Sequence, residues 1–270
     1  MAYSTITKST TNFTPKLFSG TGSSNAITGV GFKPDITWIR NRTTSEINIL
    51  TDAVRGVTKT LSPSNGAIQT PVAEDLKSFD TDGFTVGTNN RVNKSGDSII
   101  SWNWKAGNLA NATTTSNTDG SITSGVSVNS TGKFSIVKWQ GTGSAATIGH
   151  GLATAPKWII TKAYSGSTAN WGVYHHAFST SPQNVGMVLN EAEDFDTNSS
   201  YWNNTAPTST VFSVNSNNAT NQADQPMIAY CWAEVQGFSR FGFYKGNGQT
   251  NGSFQYLGFA PSFLMIKKNA

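Results

Sequence analysis

Alternation of apolar and polar positions, rather than a 3.6-residue stripe, dominates this chain. Ser98-Ile99-Ile100-Ser101-Trp102-Asn103-Trp104 places Ile100, Trp102 and Trp104 on one face, the signature of a half-buried strand. Gly83-Phe84-Thr85-Val86, Val211-Phe212-Ser213-Val214 and Met227-Ile228-Ala229-Tyr230-Cys231-Trp232 read as further strands. Helical signals are short, at Val72 to Phe79 and at Met187 to Phe195.

One segment recurs three times. An aromatic residue stands just before a Gly-x-Gly: Phe18 in Phe18-Ser19-Gly20-Thr21-Gly22, Trp139 before Gly141-Thr142-Gly143, and Tyr244 before Gly246-Asn247-Gly248. Pro34, Pro156 and Pro261 follow 12 or 13 residues after the second Gly, and Arg40, Lys162 and Lys267 come six positions after each Pro. Glycines give the backbone freedom for a tight turn. A proline lacks an N–H and suits a strand entrance. Each copy therefore reads as strand, turn, strand and Pro-led strand. The half-unit holding Gly83–Val86 and Ser98–Trp104 recurs as Val211–Val214 and Met227–Trp232, with Trp104 and Trp232 at matching places. These tryptophans are expected to pack between two sheets.

The predicted fold is all-β, with tandem β-sandwich domains (jelly-roll or concanavalin-like) and an incomplete third repeat at the C-terminus. Residues 1–107 form the first repeat, and 108–133 a Ser/Thr/Asn-rich linker with a strand at Ser121 to Val128. Residues 134–237 form the second repeat, and 238–270 the first half of a third. That half-unit either completes the second domain by strand addition or opens a third one.

Composition narrows the class. Charged residues are 13% of 270, while Ser, Thr and Asn supply roughly a third of the chain, a balance unlike helical bundles. Eight Trp, 15 Phe and 7 Tyr argue against disorder. A net charge of +4 without a basic cluster beyond Lys267-Lys268 argues against nucleic-acid binding. Cys231 is alone, which fits a reducing compartment. The N-terminus carries no secretory signal, and no apolar run is long enough for a membrane span, so membrane insertion is not expected.

Candidate chemistry is sparse. His175 and His176 are adjacent and would face opposite sides of a strand. Asp194 and Asp196 sit in a stretch resembling part of a calcium loop, but it lacks the Gly and the downstream Glu, leaving loop or cap duty as the expected role. No cofactor, metal centre or catalytic residue is expected. Trp202, Asn203 and Asn204 could stack on a sugar and hydrogen-bond its hydroxyls, with Trp171 and Tyr174 as a weaker site of the same kind. The alternative is a turn rich in Asn and Thr.

Several stretches resemble repeated domains of unassigned function in structural and tail-fibre-like proteins of marine bacteriophages, especially cyanophages. They include Gly29-Val30-Gly31-Phe32-Lys33-Pro34-Asp35, Asp52-Ala53-Val54-Arg55-Gly56, Ser78-Phe79-Asp80-Thr81-Asp82-Gly83-Phe84, Gly149-His150-Gly151-Leu152 and Ala229-Tyr230-Cys231-Trp232-Ala233-Glu234-Val235. The resemblance covers nearly the whole chain. It implies a non-enzymatic virion protein assembled in the host cytoplasm, a component of a tail fibre or adhesion apparatus. The implied partners are other virion proteins, a homotrimer that covers strand edges, and a host-surface glycan or protein. A head decoration acting only through protein contacts and a lectin-like module are the alternatives.

Overall fold

The computed structural model describes residues 4–192 and 196–268. Strand occupies 35% of the chain and helix 7%, in several antiparallel sheets, as the period-two pattern predicts.

The first unit contains β1 (Phe13–Ser19), β2 (Asn25–Thr28), β3 (Ile36–Asn41), β4 (Ile49–Asp52), β5 (Lys59–Thr60), β6 (Thr70–Pro71), β7 (Leu76–Asp80), β8 (Gly83–Val86), the helical turn α1 (Asn90–Asn93) and β9 (Ser98–Trp104). One sheet runs β1-β9-β3-β4 and a second runs β2-β8-β7. Ile39, Ile49 and Ile99 from the first pack with Ile27, Phe84, Val86 and Leu76 from the second.

The second unit contains β10 (Thr115–Asn117), β11 (Ser124–Asn129), β12 (Phe134–Gln140), β13 (Ala146–Gly149), β14 (Trp158–Ala163), β15 (Gly172–His175), β16 (Val185–Val188), β17 (Asp196–Thr197), α2 (Ser199–Trp202), β18 (Val211–Val214), α3 (Asn218–Asn221) and β19 (Pro226–Trp232). Its large sheet runs β10-β11-β12-β19-β14-β15-β16-β17 and is faced by the β13-β18 pair. The enclosed core includes Val137, Trp139, Ile148, Ile159, Phe212, Val214 and Met227.

The repeat is visible in register. The last strand of each unit inserts between the repeat's first and third strands, β9 between β1 and β3 and β19 between β12 and β14. Phe13 faces Trp104 as Phe134 faces Trp232, and Ile36 faces Trp104 as Trp158 faces Trp232. Pro34 and Pro156 stand just ahead of β3 and β14, where a missing N–H costs no ladder bond.

Three expectations change. The segment expected as a linker holds β11 close to the strand expected at Ser121 to Val128, but also β10, and both extend the second unit's sheet rather than stand apart from it. The helical signals at Val72 to Phe79 and Met187 to Phe195 yield β7 and β16 instead, because pairing with β8 and β15 overrides weak local propensity. Among the described residues no strand follows β19, only a single bridge between Val235 and Ser239, so residues 238–268 add no strand to the second unit. No helix among the described residues is long and apolar enough to cross a membrane.

Candidate functional site

β-strand side chains alternate between faces, so each repeat's central sheet has an outer face as well as an inner one. In both units that outer face is apolar. Ile36, Trp38, Leu50 and Trp104 of the first meet Phe134, Ile136, Trp158, Ile160, Tyr230 and Trp232 of the second in one buried cluster. Trp104 and Trp232, equivalent in the repeat, lie 6.0 Å apart edge to face, and Trp158 stacks on Trp232 at 4.2 Å. The matching tryptophans thus pack between repeats rather than inside each one.

A charged centre sits in this seam. Asp52 at the end of β4 accepts from Arg55 Nε at 2.6 Å and from the Arg55 amide at 2.8 Å. Tyr230 of β19 donates its hydroxyl to Asp52 Oδ2 at 2.7 Å. Arg55 Nη1 also donates to the Lys59 carbonyl at 2.8 Å. Both charged side chains are excluded from water, at 1% and 0% exposure. Burial drives the Tyr230 phenol well above its ordinary pKa, so it stays a donor. The Asp52-Ala53-Val54-Arg55-Gly56 stretch is therefore a lock between units.

The basic residue of each repeat acts on backbone carbonyls. Arg40 Nη1 donates to Glu46 O at 2.6 Å, and Lys162 Nζ to Ala169 O at 2.5 Å and to Gly66 O of the first unit at 2.8 Å. Lys162 is buried with no carboxylate partner among the described residues, and burial lowers its pKa to about 8. The unfolded chain keeps that proton to about pH 10.4, so between about pH 8 and 10 the unfolded state binds more protons and stability rises with pH. Urea unfolding of the protein and of Lys162→Met across this range should show a gain of about 1–3 kcal/mol that only the lysine protein makes. Equal slopes would mean that Lys162 titrates normally.

The residues proposed for sugar stacking lie in the interior. Trp202, in α2, is 1% exposed and meets Tyr174 edge to face at 5.7 Å in the second unit's core. Trp171 is fully buried at the seam, where Nε1 donates to Ser62 O and Asn65 O, each at 3.0 Å. No ring of the three is open to a ligand face, which corrects the sugar-stacking reading. Asn203 and Asn204 remain exposed, but as left-handed residues (φ 52° and 49°) ending α2, a conformation Asn tolerates. Asp194 and the side chain of Asp196 lie outside the described residues. Among those described, no three His, Cys, Asp or Glu gather as a metal set. β15 ends at His175, so the rings of His175 and His176 do not take opposite faces and sit 5.4 Å apart. Burial, with His176 adding to it, lowers the His175 pKa to about 4.

Two surface features remain. An open groove of about 470 Å³ lies along β10–β12, lined by Thr114, Ser116, Thr123, Ser124, Lys138 and Tyr164. The other is the segment after β19. Phe263 packs against Phe13, Trp102 and Trp104, and Phe241 against Trp158, closing one rim of the aromatic seam. The rest of the segment holds its apolar side chains in water, with Phe254 87% and Phe243 78% exposed beside Tyr256, Leu264 and Ile266. A cleft of about 470 Å³ opens at its base between Glu234, Arg240 and Tyr256.

A family described as a domain of unknown function, DUF7483, matches residues 8–270. The chain belongs to the DUF7483 family. No curated protein and no solved structure matches it.

The DUF7483 chain also carries a repeated clamp that the strand pattern does not reveal. Asn89 and Asn217 cap α1 and α3, and Asn93 and Asn221 close them. Asn221 Oδ1 accepts from Thr142 N at 3.1 Å and from Trp139 Nε1 at 3.3 Å, while Nδ2 donates to Ser144 O at 2.7 Å. Asn93 does the same with Thr21 N at 2.9 Å and Ser23 O, and also donates to Gly87 O at 2.7 Å. The clamp holds the Gly-x-Gly turn. A Cβ on Gly20 would lie 2.0 Å from Lys94 O and one on Gly141 2.1 Å from Gln222 O, while Gly22 and Gly143 have φ of 71° and 65°. The detectable signal was Asn-x-x-x-Asn in both copies, each ending five residues before the last strand.

Proposed function

We propose that this chain is a structural protein of a bacteriophage virion, in the tail-fibre or adhesion apparatus, that works by contact rather than catalysis. The observation that carries the reading is the construction of the body. Two repeats are joined through one buried aromatic seam and the Asp52–Arg55–Tyr230 lock, under an exterior poor in charge. That design favours a rigid spacer between partners. The resemblance to tail-fibre-like domains points the same way. The hydroxyl-lined groove along β10–β12 is where a host-surface glycan would meet the protein.

Antibodies to the chain, applied to particles of the phage that encodes it, should label the tail fibres in electron micrographs. Label over the outer capsid would assign the protein to head decoration. Label released only from the capsid interior would overturn a contact role altogether.

A further inference from the structure

We propose that the groove along β10–β12 takes an acidic oligosaccharide, a class that rests on the glycan reading of the same groove, and that Lys138 pairs with a sugar carboxylate.

The groove lies on the outer face of the second unit's large sheet. Ser116, Gly125 and Lys138 stand opposite one another on β10, β11 and β12, and the row continues into Ile228 of β19. Ile228 belongs to the aromatic seam, whereas Val126 and Val137, next in sequence to Gly125 and Lys138, belong to the enclosed core. The groove therefore begins where the first unit's cover ends. Its floor is open because the centre of the row is a glycine. A Cβ on Gly125 would lie 2.4 Å from Thr114 Oγ1 and 3.1 Å from Lys138 Cε. Glycine weakens a strand, and room for the close approach of a ligand is one reason for its presence there.

The polar groups around this floor are uncommitted. Ser124, beside Gly125, donates to Gly149 O at 2.7 Å. By contrast, the hydroxyls of Thr114, Ser116 and Thr123 and the side-chain amide of Gln140 have no hydrogen-bond partner among the described residues. Lys138 is half-buried, is the one charged residue in the lining, and has no carboxylate or carbonyl partner among them either. A partly desolvated ammonium attracts an anion more strongly than a fully hydrated one. The hydroxyls and the amide both donate and accept, as sugar hydroxyls require. One lysine balances one acid group, whereas a nucleic acid needs several cations. A volume of about 470 Å³ lies within the range of small-ligand sites.

The other repeat supplies an internal comparison. Its counterpart of β12 is β1, and no strand lies beyond β1 in that sheet among the described residues. Leu17 stands at the position of Lys138 and is 58% exposed. The groove is thus an addition made by β10 and β11 to the second unit, not a by-product of the repeated sandwich.

Calorimetric titration of the full chain with trigalacturonate and with its neutral methyl ester tests the assignment. The acid should bind roughly tenfold more tightly than the ester at low salt, and the difference should shrink as salt is raised. Lys138→Met should erase the difference by weakening the acid alone. Gly125→Val should abolish binding of both sugars while thermal unfolding is little changed. Equal affinity for acid and ester, an acid preference that survives Lys138→Met, or displacement of the acid by an equal concentration of sulfate would overturn the inference. Absence of binding by either sugar, with antibody label on the tail fibres, would remove the acidic glycan and leave the contact role in place.

Discussion

Replacing Arg55 with Met should cost about 3–5 kcal/mol, the largest loss expected from a single side chain in this protein. The substitution keeps much of the side-chain volume but leaves the Asp52 carboxylate buried at 0% exposure without its cation. Tyr230 and the Arg55 amide still donate to Asp52, but two neutral donors do not replace a guanidinium in a medium of low polarity. Tyr230→Phe removes only one donor and should cost about 1–3 kcal/mol. Combining Asp52→Asn with Arg55→Met should cost less than the sum of the single losses, since no unpaired charge then remains. Urea midpoints at constant slope give the comparison. A loss below about 1 kcal/mol for Arg55→Met would mean that the lock contributes little beyond packing.

Asn221→Ala and Asn93→Ala should each cost about 2–4 kcal/mol, because each removes a fully buried amide that holds several partners at once. For Asn221 these are the Thr142 amide, the Trp139 indole N–H and the Ser144 carbonyl. For Asn93 they are the Thr21 amide and the Ser23 and Gly87 carbonyls. Asp in place of either should be no better, since it offers an acceptor where the Ser144 or Ser23 carbonyl needs a donor. Thermal unfolding of the two Ala variants checks the repeat directly. Near-equal losses are expected, and a loss confined to one site would show that the two clamps are not equivalent.

Much of the fold was legible in the sequence. Period-two alternation located β8, β9, β18 and β19 almost to the residue, and the Gly-x-Gly and Pro spacing aligned β1 with β12 and β3 with β14. What alternation cannot reveal is which side of a sheet faces water. Ile100, Trp102 and Trp104 read as one buried face, yet Ile100 and Trp102 are half-buried, and only the meeting of two outer faces shows that the cover of Trp104 is the other repeat. The same gap misplaced Trp202, whose Asn-rich flank resembles a sugar site but forms the left-handed end of α2 with the indole turned inward. The lock was equally hidden. Asp52 and Arg55 are three residues apart, but their third partner lies 175 positions from Arg55. The Asn clamp was legible in principle, by its identical spacing in two copies, yet it is lost within a chain where Asn is abundant.

The shared seam also sets the order in which the protein can be completed at the ribosome. The first repeat is fully synthesised once Trp104 has emerged, but the sheet face of the second repeat that covers it is complete only at Trp232, 128 residues later, and Phe263 closes its rim later still. At roughly 5–20 residues per second, Trp38 and Trp104 wait about 6–25 s for that face. During that interval the nascent chain presents an aromatic sheet face with few charges to keep neighbouring chains apart. Slow translation or crowded polysomes would therefore act on this protein through association of half-made chains, before any finished molecule exists to be destabilised.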